Sequence, residues 1–137
     1  MRAEPQAGAR EVLVRYLDAL TAGDLAAIED SFAVDATWWL HGETPLAGLR
    51  RGRAEIMDFL LSAGALFAPG TQEFEFGDIV AEGDRAVLEW RVRGRGAATG
   101  SAYDNAYCAV FVVRDGRIAA VREYLDTHHA ARALFGT

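Results

Sequence analysis

After Gly70 the apolar residues of this chain change from helical spacing to a period of two, and that change restricts the fold more than any other feature. Before it they fall at helical intervals. Leu13, Tyr16, Leu17 and Leu20 form one stripe, Leu25, Ile28 and Phe32 a second, and Ile56, Phe59, Leu60, Ala63 and Phe67 a third; such spacing gathers side chains on one side of a helix. After it they alternate. Phe74 and Phe76 interleave with Glu73 and Glu75, and Ala86, Leu88, Trp90 and Val92 share one strand face while Arg85, Glu89, Arg91 and Arg93 share the other. Helices first and a run of hairpin-linked strands afterwards predict an α+β domain and exclude alternating βαβ units.

Local signals set the boundaries. Gly23 followed by Asp24 reads as the C-cap of one helix and the N-cap of the next. The second helix is expected to carry Phe32, and a strand to begin at Ala36 and run through Thr37, Trp38, Trp39 and Leu40. The glycine- and proline-containing segment from His41 to Gly52 suits a loop or short hairpin, and Pro69-Gly70 stops the third helix. Gly83-Asp84 and Asp115-Gly116 are turns, the glycine-rich stretch from Gly94 to Gly100 is a loop, and strands are expected from Tyr103 to Val113 and from Ile118 to Leu125. A short helix from about Thr127 to Leu134 closes the chain. Residues 1–8 read as a disordered tail, leaving residues 9–137 as a single domain.

Composition narrows the function classes. The net charge of -6 argues against a nucleic-acid partner, which calls for a basic face. Cys108 is the one cysteine, no apolar run reaches membrane length, and the first ten residues lack the apolar core of a signal peptide, so a cytoplasmic protein without a membrane partner is expected. His128 and His129 diverge by about 100° on a helix and no spaced His or Cys ligands accompany them, so no metal site and no cofactor are expected.

Several local strings carry a further signal: Arg15-Tyr16-Leu17 with Ala22-Gly23-Asp24-Leu25, then Phe32-Ala33-Val34-Asp35-Ala36-Thr37, then Gly52-Arg53-Ala54-Glu55-Ile56, and last Asp115-Gly116-Arg117-Ile118 with Arg122-Glu123-Tyr124-Leu125-Asp126. In order and spacing they resemble the nuclear transport factor 2-like superfamily, in particular its SnoaL-like and ketosteroid-isomerase-like enzymes. The resemblance implies a cone-shaped, strongly curved mixed β-sheet wrapped around three helices of the N-terminal half, a cystatin-like α+β barrel, with a deep apolar pocket and a homodimer formed through the outer sheet face. It also implies a choice among isomerases, polyketide cyclases, epoxide hydrolases and non-catalytic binding modules. Tyr16 matches the oxyanion-hole tyrosine of the ketosteroid isomerases, but Leu40 stands where those enzymes carry their general-base aspartate and Cys108 where they carry a second oxyanion donor. Val92 and Trp90 replace two of the three polar residues of limonene-epoxide-hydrolase-like members. Asp126 matches the third, and also the late aspartate of SnoaL-like cyclases.

The expected site follows. Asp126 is the candidate acid/base group, with helix capping as the competing reading. Tyr16 is the candidate oxyanion donor, with plain core packing as its alternative. Trp38, Leu40, Phe59 and Trp90 are expected to line a pocket for a small hydrophobic ligand, with His41 near its entrance. Period-two geometry puts Asp104 with Cys108 on one face of their strand and Tyr103, Asn105, Tyr107 and Phe111 on the other; the first pair is expected to face the pocket and the second set to form the dimer face. The expected function is a cofactor-independent SnoaL-like enzyme performing isomerisation, cyclisation or a related proton transfer on a polyketide- or terpenoid-like molecule. A non-catalytic binding module and an epoxide hydrolase with a rebuilt site are the alternatives.

Overall fold

A computed structural model describes residues 8–137; of the expected tail, residues 1–7 lie outside the described residues. Helix α1 (Ala9–Ala22) starts at Gly8, whose N–H donates to the Glu11 carboxylate at 3.2 Å. It ends at Gly23, whose left-handed backbone (φ 66°) turns the chain into Asp24. Asp24 Oδ1 accepts from the Ala27 N–H at 3.1 Å and so caps α2 (Leu25–Asp30). Strands β1 (Phe32–Leu40) and β2 (Gly48–Arg51) then form a hairpin, and α3 (Arg53–Gly64) follows. The remaining strands are β3 (Glu73–Glu82), β4 (Arg85–Arg95), β5 (Ala102–Arg114) and β6 (Arg117–Leu125). One turn of α-helix, α4 (Thr127–Ala130), runs into a π-helical turn over Ala131–Phe135.

The strands make one curved, unclosed six-stranded sheet in the order β2-β1-β6-β5-β4-β3. All neighbours are antiparallel except β1 and β6, so the sheet is mixed, as expected. Helix α1 packs on the concave face against β3 to β6, and α3 covers β1 and β2. Curvature has an identifiable source in β3. The β3–β4 register slips between Phe76 and Ile79, and within that bulge a Cβ on Gly77 would meet the Glu89 carbonyl oxygen at 2.7 Å. The core lies between α1 and the sheet and includes Leu13, Phe32, Ile56, Leu88, Phe111 and Ile118. A smaller cluster of Phe67, Val92, Tyr103, Ala130, Ala133 and Leu134 fills one end, where the C-terminal helical segment folds over the sheet.

Three element boundaries differ from the sequence-based expectation. Phe32 belongs to β1 because it pairs with Ile118 of β6, a partner far away in sequence that helical spacing cannot reveal. Phe67 lies past the end of α3, bridged to Gly96 and packed edge-on against Tyr103 at 5.2 Å. The start of the expected glycine loop instead continues β4 as far as Arg95, which pairs with Ala102.

The parity of β5 agrees with the sequence pattern, but its faces are exchanged. Tyr103, Asn105, Ala109 and Phe111 are buried on the concave side, whereas Asp104, Ala106 and Cys108 look outward. The expected dimer face built from Tyr103, Asn105, Tyr107 and Phe111 is therefore interior. The physical reason is that a large aromatic set is needed to fill the hollow between sheet and helices, while the smaller alternate residues suffice on the convex side.

Candidate functional site

The concave sheet and the helices enclose a cavity of about 260 Å³ with almost wholly apolar walls. Tyr16 reaches it from α1 and Phe59 from α3; Trp38 and Leu40 come from β1, and Trp90 from β4. These five expected site residues are thus brought together. Trp38 and Phe59 pack with ring centroids 5.5 Å apart, and Trp90 stacks on Tyr107 at 5.2 Å.

Among the described residues, the charged group lining this cavity is Glu123, which was not among the expected site residues. Its strand, β6, is central, parallel to β1 on one side and antiparallel to β5 on the other. Glu123 pairs with Leu40 of β1 and with Ala109 of β5. Ala109 is too small to fill its share of the concave face, which leaves room for the carboxylate. Glu123 is only 6% exposed, and the indole Nε1–H of Trp38 donates to its Oε1 at 3.0 Å. Burial pushes its carboxyl up to about 7; the Trp38 hydrogen bond and the positive charge of Arg50 pull the other way without restoring an ordinary acid. Arg50 sits on β2 with its guanidinium carbon 4.4 Å above the Phe59 ring. A carboxyl balanced near neutrality inside an apolar cavity can take a proton in one step and return it in the next.

Tyr16 is 3% exposed and lines the cavity. Burial, and then the nearby charge of Glu123, raise its pKa, so the phenol stays protonated and can act only as a neutral donor. A second polar cluster lies on β5. The Asn105 amide nitrogen donates to Tyr103 Oη at 2.8 Å and to the Asp126 carbonyl at 2.9 Å, and Tyr103 Oη lies 2.5 Å from Tyr107 Oη. Both phenols line the cavity.

Four expected site residues lie elsewhere. Asp126 is exposed and is the N-cap of α4: its Oδ1 accepts from the His129 N–H at 3.1 Å, and its side chain is not part of the cavity wall. The competing capping reading describes its position. Asp104 is on the convex face of the sheet, bound to Arg91 at 2.6 Å, with Arg93 at 3.7 Å. Cys108 lies on the same convex face, opposite Tyr124 and Glu89 in register. His41 is stacked between Trp39 and Tyr124, 4.2 Å from each, and not in the cavity. For Glu123 the signal was present. Val121, Glu123 and Leu125 share one parity of β6, so a charge at the middle position is a charge on an apolar face.

Comparison with known proteins agrees with this architecture. The family description for a SnoaL-like domain matches residues 13–121. An uncharacterized protein of Mycobacterium tuberculosis is 28% identical over 114 residues, spanning 83% of this chain and 86% of that one. Among solved structures, an NTF2-like protein from Burkholderia xenovorans is 27% identical with a TM-score of 0.78, covering 92% of this chain and 95% of that one. A putative isomerase from Bacillus subtilis has the same fold at 21% identity and a TM-score of 0.75, with 94% of each chain covered. With the helices, the mixed curved sheet and the cavity all in place, the chain belongs to the SnoaL-like domain family of the NTF2-like superfamily.

Proposed function

We propose that the protein is a cofactor-independent acid/base enzyme that moves a proton on a hydrophobic, oxygenated small molecule, as in isomerisation or cyclisation. Glu123 takes the proton from carbon and returns it, and Tyr16 donates to the oxygen on which negative charge develops. One observation carries this reading: Glu123 is buried in an apolar cavity, oriented by Trp38, with its carboxyl pushed up to about 7. The neutral and ionised forms are then both populated under physiological conditions, as general acid/base chemistry requires. In this reading the role first expected of Asp126 passes to a residue three positions earlier, on β6.

The test uses β-tetralone, an apolar bicyclic ketone with activated C–H bonds, in deuterium oxide. Exchange of its α-hydrogens, followed by proton NMR, is expected to be accelerated by the protein and to fall by roughly a hundredfold or more in Glu123→Gln. The rate should decline as pH drops below about 7, where the base becomes protonated. Equal exchange by wild type and Glu123→Gln removes the assignment.

A second reading, ligand binding without turnover, is supported by the wall itself: among the described residues, Glu123 is the one carboxylate lining the cavity. Saturable binding of β-tetralone without accelerated exchange selects it. The proposal extends to a homodimer through the convex sheet face, on residues other than those first expected there.

A further inference from the structure

The two phenols on β5 contain one more proton than their hydrogen bonds use. Tyr103 and Tyr107 share a single contact of 2.5 Å, which employs the proton of one hydroxyl and leaves that of the other. The chain behind them decides which. The Asp126 carbonyl can only accept, so the Asn105 amide must turn its NH2 group toward it, and the same nitrogen reaches Tyr103 Oη at 2.8 Å. Tyr103 is 2% exposed and already accepts from Asn105. If it accepted from Tyr107 as well, its own proton would be left in the interior without an acceptor, at a cost of about 1–3 kcal/mol. Donating to Tyr107 avoids that cost and leaves the unspent proton on Tyr107, whose ring is held by Trp90 and borders the cavity.

We infer that Tyr107, oriented through Tyr103 and Asn105, is a second ligand-binding donor that holds an acceptor oxygen of the substrate at a point separate from Glu123. This deepens the proposed function and rests on its reading of the cavity as a site for an oxygenated apolar molecule. Register gives the spacing. Tyr107 pairs with Leu125, and Glu123 pairs with Ala109, so Tyr107 and Glu123 are diagonal neighbours on the concave face. Such residues stand about 7–8 Å apart at the backbone. The substrate class is therefore an apolar molecule with a carbonyl or ether oxygen several bonds away from the carbon that Glu123 deprotonates. Tyr16 comes from the opposite wall, on α1, and serves the oxygen next to that carbon. Burial raises the pKa of both β5 phenols, so each remains a neutral donor at alkaline pH.

The test compares acetylnaphthalene with ethylnaphthalene, which has the same carbon skeleton without the oxygen. Binding is followed by tryptophan fluorescence at about pH 9, where the Glu123 carboxylate is ionised and can only accept. Wild type is expected to prefer the ketone by about tenfold, the worth of one good hydrogen bond. Tyr107→Phe should abolish the preference and bind ethylnaphthalene unchanged. Tyr103→Phe should reduce it several-fold. The carbonyl stretch of ketone bound to wild type should lie below its position in hexane, a readout that needs no variant. The inference is overturned by an unshifted stretch, by a wild type without ketone preference, or by a preference that survives Tyr107→Phe or disappears with Tyr16→Phe alone. Because α-hydrogen exchange reads Glu123 and ketone preference reads Tyr107, either proposal can fail while the other stands.

Discussion

A carboxyl buried as deeply as Glu123 costs stability whenever it is ionised, and the size of the cost follows from its proton affinity. In the unfolded chain it titrates near 4.5; in the fold it is pushed up to about 7. Between those values the folded protein holds a proton that the unfolded chain has released. Stability contributed by the neutral carboxyl is therefore full at low pH and is lost as pH rises through about 7, by about 3 kcal/mol in all. Glu123→Gln keeps the shape and removes the titration. Urea unfolding at pH 5 and pH 8 should show the variant stabilised relative to wild type by about 2–3 kcal/mol more at the higher pH. A wild type and variant whose stabilities run parallel with pH would show that Glu123 ionises freely in the fold. Residues that give up stability in this manner occur mainly where a site needs them, which links this measurement to the proton-transfer reading.

Asp126 belongs to the scale of elements, because what it holds is a helix. Its side chain satisfies one of the open N–H groups at the start of α4, and its main-chain carbonyl receives the Asn105 amide. Asp126→Ala should lower unfolding free energy by about 1 kcal/mol in chemical denaturation and leave β-tetralone exchange within a factor of two or so of wild type. A loss of exchange as large as that of Glu123→Gln would return the acid/base role to Asp126. The sequence made this choice hard in a specific way. An Asp before Thr127 and a short helix is both a good cap and a matching family position, and only the direction of its side chain separates the two. Elements dominated by local signals were legible: α1 with its Gly23 stop, the Asp24 cap, the alternation of β4, and the Asp115-Gly116 hairpin. Phe32 was not, because its strand identity depends on pairing with β6. Nor was the facing of β5. Alternation fixes which residues share a side, but which side is concave depends on the other strands and on α1. Tyr16, Trp38, Leu40, Phe59 and Trp90 were legible as cavity residues because each follows from its own stripe or alternation, whereas Asp104 and Cys108 inherited the wrong face of β5.

At the scale of the whole molecule, the exchange of faces on β5 moves the proposed dimer contact to other residues. The convex side of the sheet presents Trp39, which is 46% exposed, beside Leu49 at 44% and Tyr124 at 42%. These residues adjoin across three strands: Trp39 pairs with Leu49 of β2 and with Arg122 of β6, and Tyr124 shares the face of Arg122. His41 fills the gap between the two large rings, and the row continues through Cys108, Val110 and Ala106 on β5. Farther along, Arg91, Arg93, Asp104 and Glu75 form ion pairs at the margin. An apolar centre with a charged rim is the anatomy of a protein–protein contact, and a twofold dimer would place each aromatic row against its copy. Sedimentation equilibrium at micromolar concentration should find a dimer for wild type. Trp39→Glu combined with Tyr124→Glu should weaken it at least tenfold by placing charges at the centre, while the affinity for ethylnaphthalene stays within about twofold, because the cavity opens on the other face of the sheet. A monomeric wild type, or a dimer indifferent to both charges, would leave the convex face without this role.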